Sequence, residues 1–257
     1  MSPRSRILRP AIALTALASL LAACADNDAD PTDKTADTSA SQGGSTTPSD
    51  EDSRLTEKIV VPAGVLALPE PDGDEDAVVL EAGRYRVPLS DTLSFDVDVP
   101  PGTQASNGGL YLAVQATVLK VEAAGEDYGV PSDPCSAYTD IEPAGPTVDN
   151  LVGAIRKQPI YRAGRPEPIE FEGAGGQYFE LRIPRGYDAS SCSDGQVGLP
   201  GNPGSNNNMS PGYVGHWWIV DVDGKRAVVQ TLCDRCDPQT SEPMTRMVQS
   251  ITFTPTP

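Results

Sequence analysis

His216-Trp217-Trp218-Ile219-Val220-Asp221-Val222-Asp223-Gly224-Lys225-Arg226-Ala227-Val228-Val229-Gln230-Thr231-Leu232 is the stretch from which the architecture follows. An Asp-Gly dipeptide between two runs of β-branched and aromatic residues signals a hairpin, because both residues accept the positive φ that a type I′ turn requires. A two-residue loop also fixes the register. Asp221 then faces Arg226, Val220 faces Ala227 and Ile219 faces Val228, and Asp221 with Arg226 is expected to form a cross-strand ion pair of modest strength. Both faces of both runs carry apolar residues, which places this hairpin in the middle of a sheet covered on both sides.

Working upstream, Ile169 and Phe171 alternate with Glu170 and Glu172. Gly173-Ala174-Gly175-Gly176 turns the chain, and Phe179, Leu181 and Ile183 alternate with Glu180 and Arg182 on the return, a second hairpin. Between the hairpins, residues 188–215 are rich in Gly, Ser, Asn and Pro and are expected to form a loop too polar to pack a core. Earlier still, Leu93, Phe95, Val97 and Val99 alternate with polar residues as a half-buried strand ended by Pro100-Pro101-Gly102, and Leu110 to Val121 predicts one longer, more continuously apolar strand. Ile59 to Leu68, interrupted by Pro62 and Gly64, is at most an edge strand.

Two helices are expected. Thr147 is placed to cap the first, with Asp149 in its first turn, Val148, Leu151, Val152 and Ile155 on one face, and Pro159 as its stop. Met244, Met247, Val248 and Ile251 follow the same spacing in the second, with Ser241 near its start and Pro243 in its first turn. Strands, a helix, four strands in two hairpins and a final helix make an α+β domain, an antiparallel sheet with helices packed on it.

The N-terminal segment is built differently. Arg4, Arg6 and Arg9 precede an uncharged run, Ala11 to Ala23, and no acidic residue occurs before Cys24. That is the layout of a secretory signal, and its apolar run falls short of the roughly 20 residues a transmembrane helix needs. Leu21-Ala22-Ala23-Cys24 resembles the lipobox of bacterial lipoproteins, in which the Cys thiol receives a diacylglyceryl group and the chain is cut just before it. Residues 1–23 are thus expected to be a lipoprotein signal peptide and Cys24 the lipidated N-terminus, since two acyl chains anchor stably where one binds marginally. Residues 24–56 form an acidic linker with eight acids, two bases and one large apolar residue, Leu55. Nothing there offsets the entropy of ordering, so a disordered tether spanning about 30 Å is expected. Residues 57–257 form the extracytoplasmic domain.

Removal of residues 1–23 would leave 36 acidic against 16 basic side chains. Such a surface argues against nucleic acid as a partner and against adhesion to anionic headgroups. The abundance of Arg over Lys and of Ala, Gly, Pro and Asp points to a GC-rich genome. Beyond Cys24 the chain has Cys135, Cys192, Cys233 and Cys236, an even number that in an exported protein reads as two disulfides. Three pairings exist; Cys135–Cys192 with Cys233–Cys236 is favoured because the latter two are neighbours on a turn.

Few residues nominate chemistry. Cys233-Asp234-Arg235-Cys236 follows a strand and precedes a helix, the order of a thiol–disulfide oxidoreductase site, although the surrounding order is not βαβ and a loop staple is the simpler reading. His216 is the sole histidine and is better explained by packing than by catalysis; zinc would lack ligands. Asp72, Asp74 and Asp76 mimic the start of a calcium loop, but Ala77 and Gly83 stand where Gly and Glu are needed. No Gly-x-Ser-x-Gly elbow is present, and no catalytic residue, metal or cofactor is assigned. Trp217, Trp218, Tyr111 and Tyr178 are candidates to line a binding groove, with core and sheet-surface packing as the plainer role for each.

The run Gly215 to Arg226, the tripeptide Asp133-Pro134-Cys135, the helix carrying Leu151 and Gln158, and the closing Val248-Gln249-Ser250-Ile251 resemble a group of uncharacterised actinobacterial exported lipoproteins. The resemblance covers most of residues 80–254, and the element order is similar to the Mog1/PsbP-like fold, to which LpqN-type lipoproteins are assigned. Cys233 to Cys236 and the Asn-rich loop depart from that group's pattern. Its shared motifs are structural, so the resemblance implies a fold and not an activity. The expectation is a lipid-anchored, non-enzymatic binding or accessory module of the cell envelope, meeting an envelope protein, lipid or glycan. The alternative is a thiol–disulfide oxidoreductase using Cys233 and Cys236.

Overall fold

A computed structural model describes residues 63–69, 76–114, 117–136, 140–172, 174–233 and 238–256. The segments expected to be a signal peptide and a linker, with Cys24, and Asp72, Asp74 and Cys236 lie outside the described residues. In chain order the strands are β1 (Leu66–Ala67), β2 (Ala77–Leu80), β3 (Gly83–Ser90), β4 (Leu93–Val99), β5 (Thr103–Ser106), β6 (Tyr111–Val114), β7 (Thr117–Ala123), β8 (Gly129–Pro131) and β9 (Ile141–Pro143). Helix α1 (Val148–Lys157) follows, then β10 (Arg162–Ala163), β11 (Glu167–Phe171), β12 (Ala174–Arg182), β13 (Val197–Gly198) and β14 (Asn208–Met209). The chain closes with β15 (Val214–Val222), β16 (Lys225–Cys233), α2 (Pro238–Gln249) and β17 (Thr252–Pro255).

The fold is α+β. A large antiparallel sheet runs β10-β12-β15-β16-β7-β6-β5-β2, with β11 also paired to β12, and a smaller sheet runs β1-β3-β4-β17. The β15–β16 hairpin sits mid-sheet with the expected register: Asp221 opposite Arg226, Val220 opposite Ala227, Ile219 opposite Val228. Asp223 and Gly224 both have positive φ, 52° and 80°, as the primed turn demands.

Because side chains alternate along a strand, this hairpin divides its residues between two cores. Val220, Val222, Ala227 and Val229 face one core, completed by the small sheet and by Met244, Met247, Val248 and Ile251. Trp217, Ile219 and Val228 face the other, with Leu151, Val152 and Ile155 of α1. Helix α1 is capped as expected: Thr147 Oγ1 accepts from the Asn150 amide, and the Asn150 side chain accepts from the Thr147 amide. Its charges suit the helix dipole, Asp149 in the first turn and Arg156 and Lys157 in the last.

Several expectations are corrected. Leu110 to Val121 is not one strand: β6 and β7 pair with each other, Val114 opposite Thr117. A mostly apolar run satisfies a buried hairpin as well as one buried strand, and no Gly or Pro stands between Val114 and Thr117. The bend between β11 and β12 is tighter than the glycine run implied, with Phe171 opposite Ala174, and Gly175 and Gly176 lie within β12 opposite Asp221 and Val220. Gly176 is required by close approach, since a Cβ there would meet the Ile219 carbonyl oxygen at 2.2 Å. Helix α2 begins at Pro238, so Pro243 is interior to it; the cost of its missing N–H is offset by four buried apolar side chains, Met244, Met247, Val248 and Ile251. Residues 188–215 do pack a core, burying Ala189, Cys192, Val197, Leu199 and Met209 against α1's side of the sheet. The Cys135–Cys192 disulfide and the bonds from the Ser193 and Gly198 amides to the Cys135 and Pro134 carbonyls hold that segment down.

Asp221 and Arg226 face each other without an ion pair among the described contacts. Asp221 Oδ1 accepts the Gly224 amide at 2.7 Å. Arg226, 5 % exposed, turns inward and donates to the carbonyls of Gly125, Tyr128, Gly145 and Thr147. Burial pulls its pKa below the ordinary arginine value. Hydrogen bonds to a charged donor in a dry site outweigh a solvent-exposed carboxylate. Urea denaturation is expected to show Arg226→Met destabilised by about 3 kcal/mol or more, and Asp221→Ala by about 1 kcal/mol or less. Equal losses would mean that the cross-strand pair, and not the inward cluster, carries the energy.

Candidate functional site

The alternation that builds the two cores also leaves part of one sheet face without an apolar cover. On β12 and β15, Tyr178 pairs with Trp218 and Glu180 with His216. These side chains point to the α2 side, where the small sheet contributes only Arg84 and Thr252 to the lining. They form the floor of a groove of about 1130 Å³ whose far wall is α2, with Met244 and Val248 on it, and whose side is β11, with Ile169 and Phe171. Phe171 meets Phe253 edge-on at 5.9 Å between ring centres.

The floor is a three-ring cluster. Tyr178 lies 5.2 Å from Trp218 and 6.1 Å from His216, and His216 lies 6.1 Å from Trp218. All three are half-buried, and the Tyr178 hydroxyl hydrogen-bonds His216 Nδ1 at 2.8 Å. Burial lowers the His216 pKa, opposed by Glu180 and reinforced by Arg182. Burial raises the Tyr178 pKa, with Glu180 and Glu167 adding to the rise. Both groups are therefore uncharged near neutral pH, and the floor presents ring faces and not a charge.

Charge sits at the rim. Arg182 bonds Glu180 through Nε and Nη2, Arg185 is exposed, and Glu170 on β11 and Glu172 just after it line the same rim. Arg84 is engaged elsewhere, donating to Asp98 at 3.0 Å, to the Ser250 carbonyl at 3.3 Å and to Thr252 Oγ1, which ties β3 to the end of α2. A half-open channel with rings beneath, polar and apolar lining in about equal measure and mixed charges at its edge suits a molecule with both polar and apolar parts.

Of the aromatic candidates, the fold brings Tyr178 and Trp218 together and separates the other two. Trp217 is 0 % exposed, packed parallel to Phe179 in the α1-side core. Tyr111 lies on β6 with the Lys120 ammonium 5.2 Å from its ring centre. His216 joins the floor, stacked and hydrogen-bonded. Cys135 and Cys192 form a disulfide. Cys233, 5 % exposed, borders the groove and is disulfide-bonded, its partner lying outside the described residues. Asp76 is exposed, and among the described residues no group of three or more His, Cys, Asp or Glu converges as for a metal.

The α2 and β11 walls were not foreseen as part of a site. Their residues show ordinary amphipathic spacing, which does not distinguish a side chain lining a groove from one filling a core. Compared with protein-family models and with curated proteins, the chain matches none.

Proposed function

We propose that this protein is a lipid-anchored binding module of the bacterial cell envelope that holds an amphipathic molecule in the groove between its large sheet and α2. The observation that carries the reading is the Tyr178–His216–Trp218 floor: three adjacent rings on a central strand pair, half-buried under a channel large enough for a ligand. The rings pack on one another and stay half-exposed beneath the channel, and a bound apolar chain or ring would cover that remaining surface. Attachment rests on the lipobox ending at Cys24 and the tether after it. The Cys135–Cys192 disulfide is in keeping with an oxidising compartment.

A second reading keeps one supporting observation. Cys233 borders the groove in disulfide form, and α2 begins at Pro238, closer to Cys236 than the spacing of apolar residues implied. A thiol–disulfide oxidoreductase could use such an arrangement. The burial of Cys233 weighs against it, since an attacking thiolate must be reached.

Titration of the purified mature chain with a fluorescent fatty acid is expected to saturate and to quench tryptophan emission. Trp218→Ala is expected to weaken binding about tenfold, about 1.4 kcal/mol, while Trp218→Phe retains most of it. No saturable binding by the native chain would end the groove reading. Attachment is tested separately. Cys24→Ser in the full chain is expected to move the protein out of the membrane fraction or halt its processing, and mature-size protein still in that fraction would refute lipidation there.

A further inference from the structure

On the other face of the large sheet, away from the groove, a charge is buried more deeply than packing requires. Lys120, in the middle of β7, is 2 % exposed, a place where a Met would fill similar volume at no electrostatic cost. Its Nζ lies 2.9 Å from Glu122 Oε1, close but without hydrogen-bond geometry. Glu122 is itself 8 % exposed, and its second oxygen accepts from the hydroxyl of fully buried Tyr128 at 3.3 Å. Taking both charges out of water costs several kcal/mol per ion before their attraction is counted.

Directly opposite Lys120 across the ladder stands Gln230 of β16, 0 % exposed. Such partners have Cβ atoms about 5 Å apart on one face, so the lysine stem and the Gln230 carboxamide share one dry compartment. The carboxamide is held asymmetrically. Its Oε1 accepts from Asn207 Nδ2 at 3.2 Å, while its Nε2 has no acceptor among the described residues. Asn207, 5 % exposed, is fixed in turn by the Pro200 carbonyl at 2.8 Å.

A buried amine, a carboxylate beside it, a carbonyl polarised by an N–H donor and an amide nitrogen without an acceptor among the described residues are the parts of an acyl-transfer site. We propose that Lys120 and Gln230 are joined by an amide bond that forms within the folded chain. Glu122 takes a proton from the Lys120 ammonium, and the neutral Nζ attacks Gln230 Cδ. The Asn207 Nδ2–H group stabilises the negative charge that develops on Oε1. As the intermediate collapses, Glu122 returns the proton to Nε2 and takes up the second proton from Nζ, the Cδ–Nε2 bond breaks and ammonia leaves, so that Glu122 ends as a neutral carboxylic acid. One C–N bond replaces another, so no oxidant, reductant or cofactor takes part. The product is a neutral amide in place of a buried ion pair, and it clips β7 to the central hairpin.

The test is peptide mapping of the full-length chain isolated from its host, reduced, alkylated and digested with trypsin. The expected result is a peptide uncut at Lys120 and joined to the peptide bearing Gln230, lighter than the two together by one ammonia, in most molecules. Lys120→Arg abolishes the link. Glu122→Gln, folded by circular dichroism, lowers the joined fraction about tenfold or more. Recovery of free Lys120 and Gln230 peptides from the native chain overturns the proposal, as does a link from Lys120 to Asn207.

Discussion

The two-residue turn at Asp223-Gly224 is the constraint on which the rest of the structure depends. Side chains on a strand alternate with a period of two, so a slip of one residue between β15 and β16 would send every apolar group to the wrong face. With both turn residues at positive φ the slip is blocked. Trp217, Ile219 and Val228 stay with α1, and Val220, Val222 and Val229 stay with α2 and the small sheet. The large sheet is thereby a wall common to two cores, and neither core can form without the register that the turn sets.

The two sides of that wall are held differently. On the α1 side, a disulfide, an inward-turned Arg226 and a segment rich in Gly and Asn close over the strands, and Trp217, Phe179, Tyr128 and Tyr161 are buried there. On the α2 side, the small sheet covers the turn end of the hairpin through β4 and β17, and α2 stands over the rest. Cover is incomplete where the hairpin runs away from its turn, and that is where Trp218, His216 and Tyr178 come together. The groove is the uncovered remainder of a core face, walled by one helix, α2. Ligand sites commonly lie where packed layers diverge, and here the divergence falls on the residues best able to stack against a ligand.

How much of this was legible in the sequence depends on the range of the forces involved. Alternation and turn chemistry are local, so the central hairpin, its register, the strand at Leu93–Val99 and the capped α1 could be read directly. Arg226 could not be placed, because its partners are carbonyls far away in the chain and the neighbouring Asp221 offered a simpler local match. The division into β6 and β7 was hidden because the mostly apolar stretch from Leu110 to Val121 carries no Gly or Pro to mark where one strand ends, and β3 because Pro88 interrupts its alternation of Arg84 and Arg86 with Tyr85 and Val87. The polar loop at 188–215 was misjudged because its few apolar residues reach the core only once the Cys135–Cys192 bond and its neighbours draw the backbone in. The candidate site was half legible: Trp217 and Trp218 are adjacent and chemically alike, and only the sheet's position between two cores tells the buried ring from the available one.

That last distinction makes the central claim measurable with the two tryptophans the chain contains. Trp217 Nε1 is buried without an acceptor among the described residues, and Trp218 lines the groove. A nitrogen–proton correlation spectrum of the ¹⁵N-labelled mature chain, followed in deuterated water and then with a fatty acid added, reports on both indoles at once. The account predicts one indole that exchanges slowly and does not move, assigned by Trp217→Phe, and one that exchanges quickly and shifts on addition, assigned by Trp218→Phe. Two indoles equally protected, or a shift at Trp217 with none at Trp218, would contradict it.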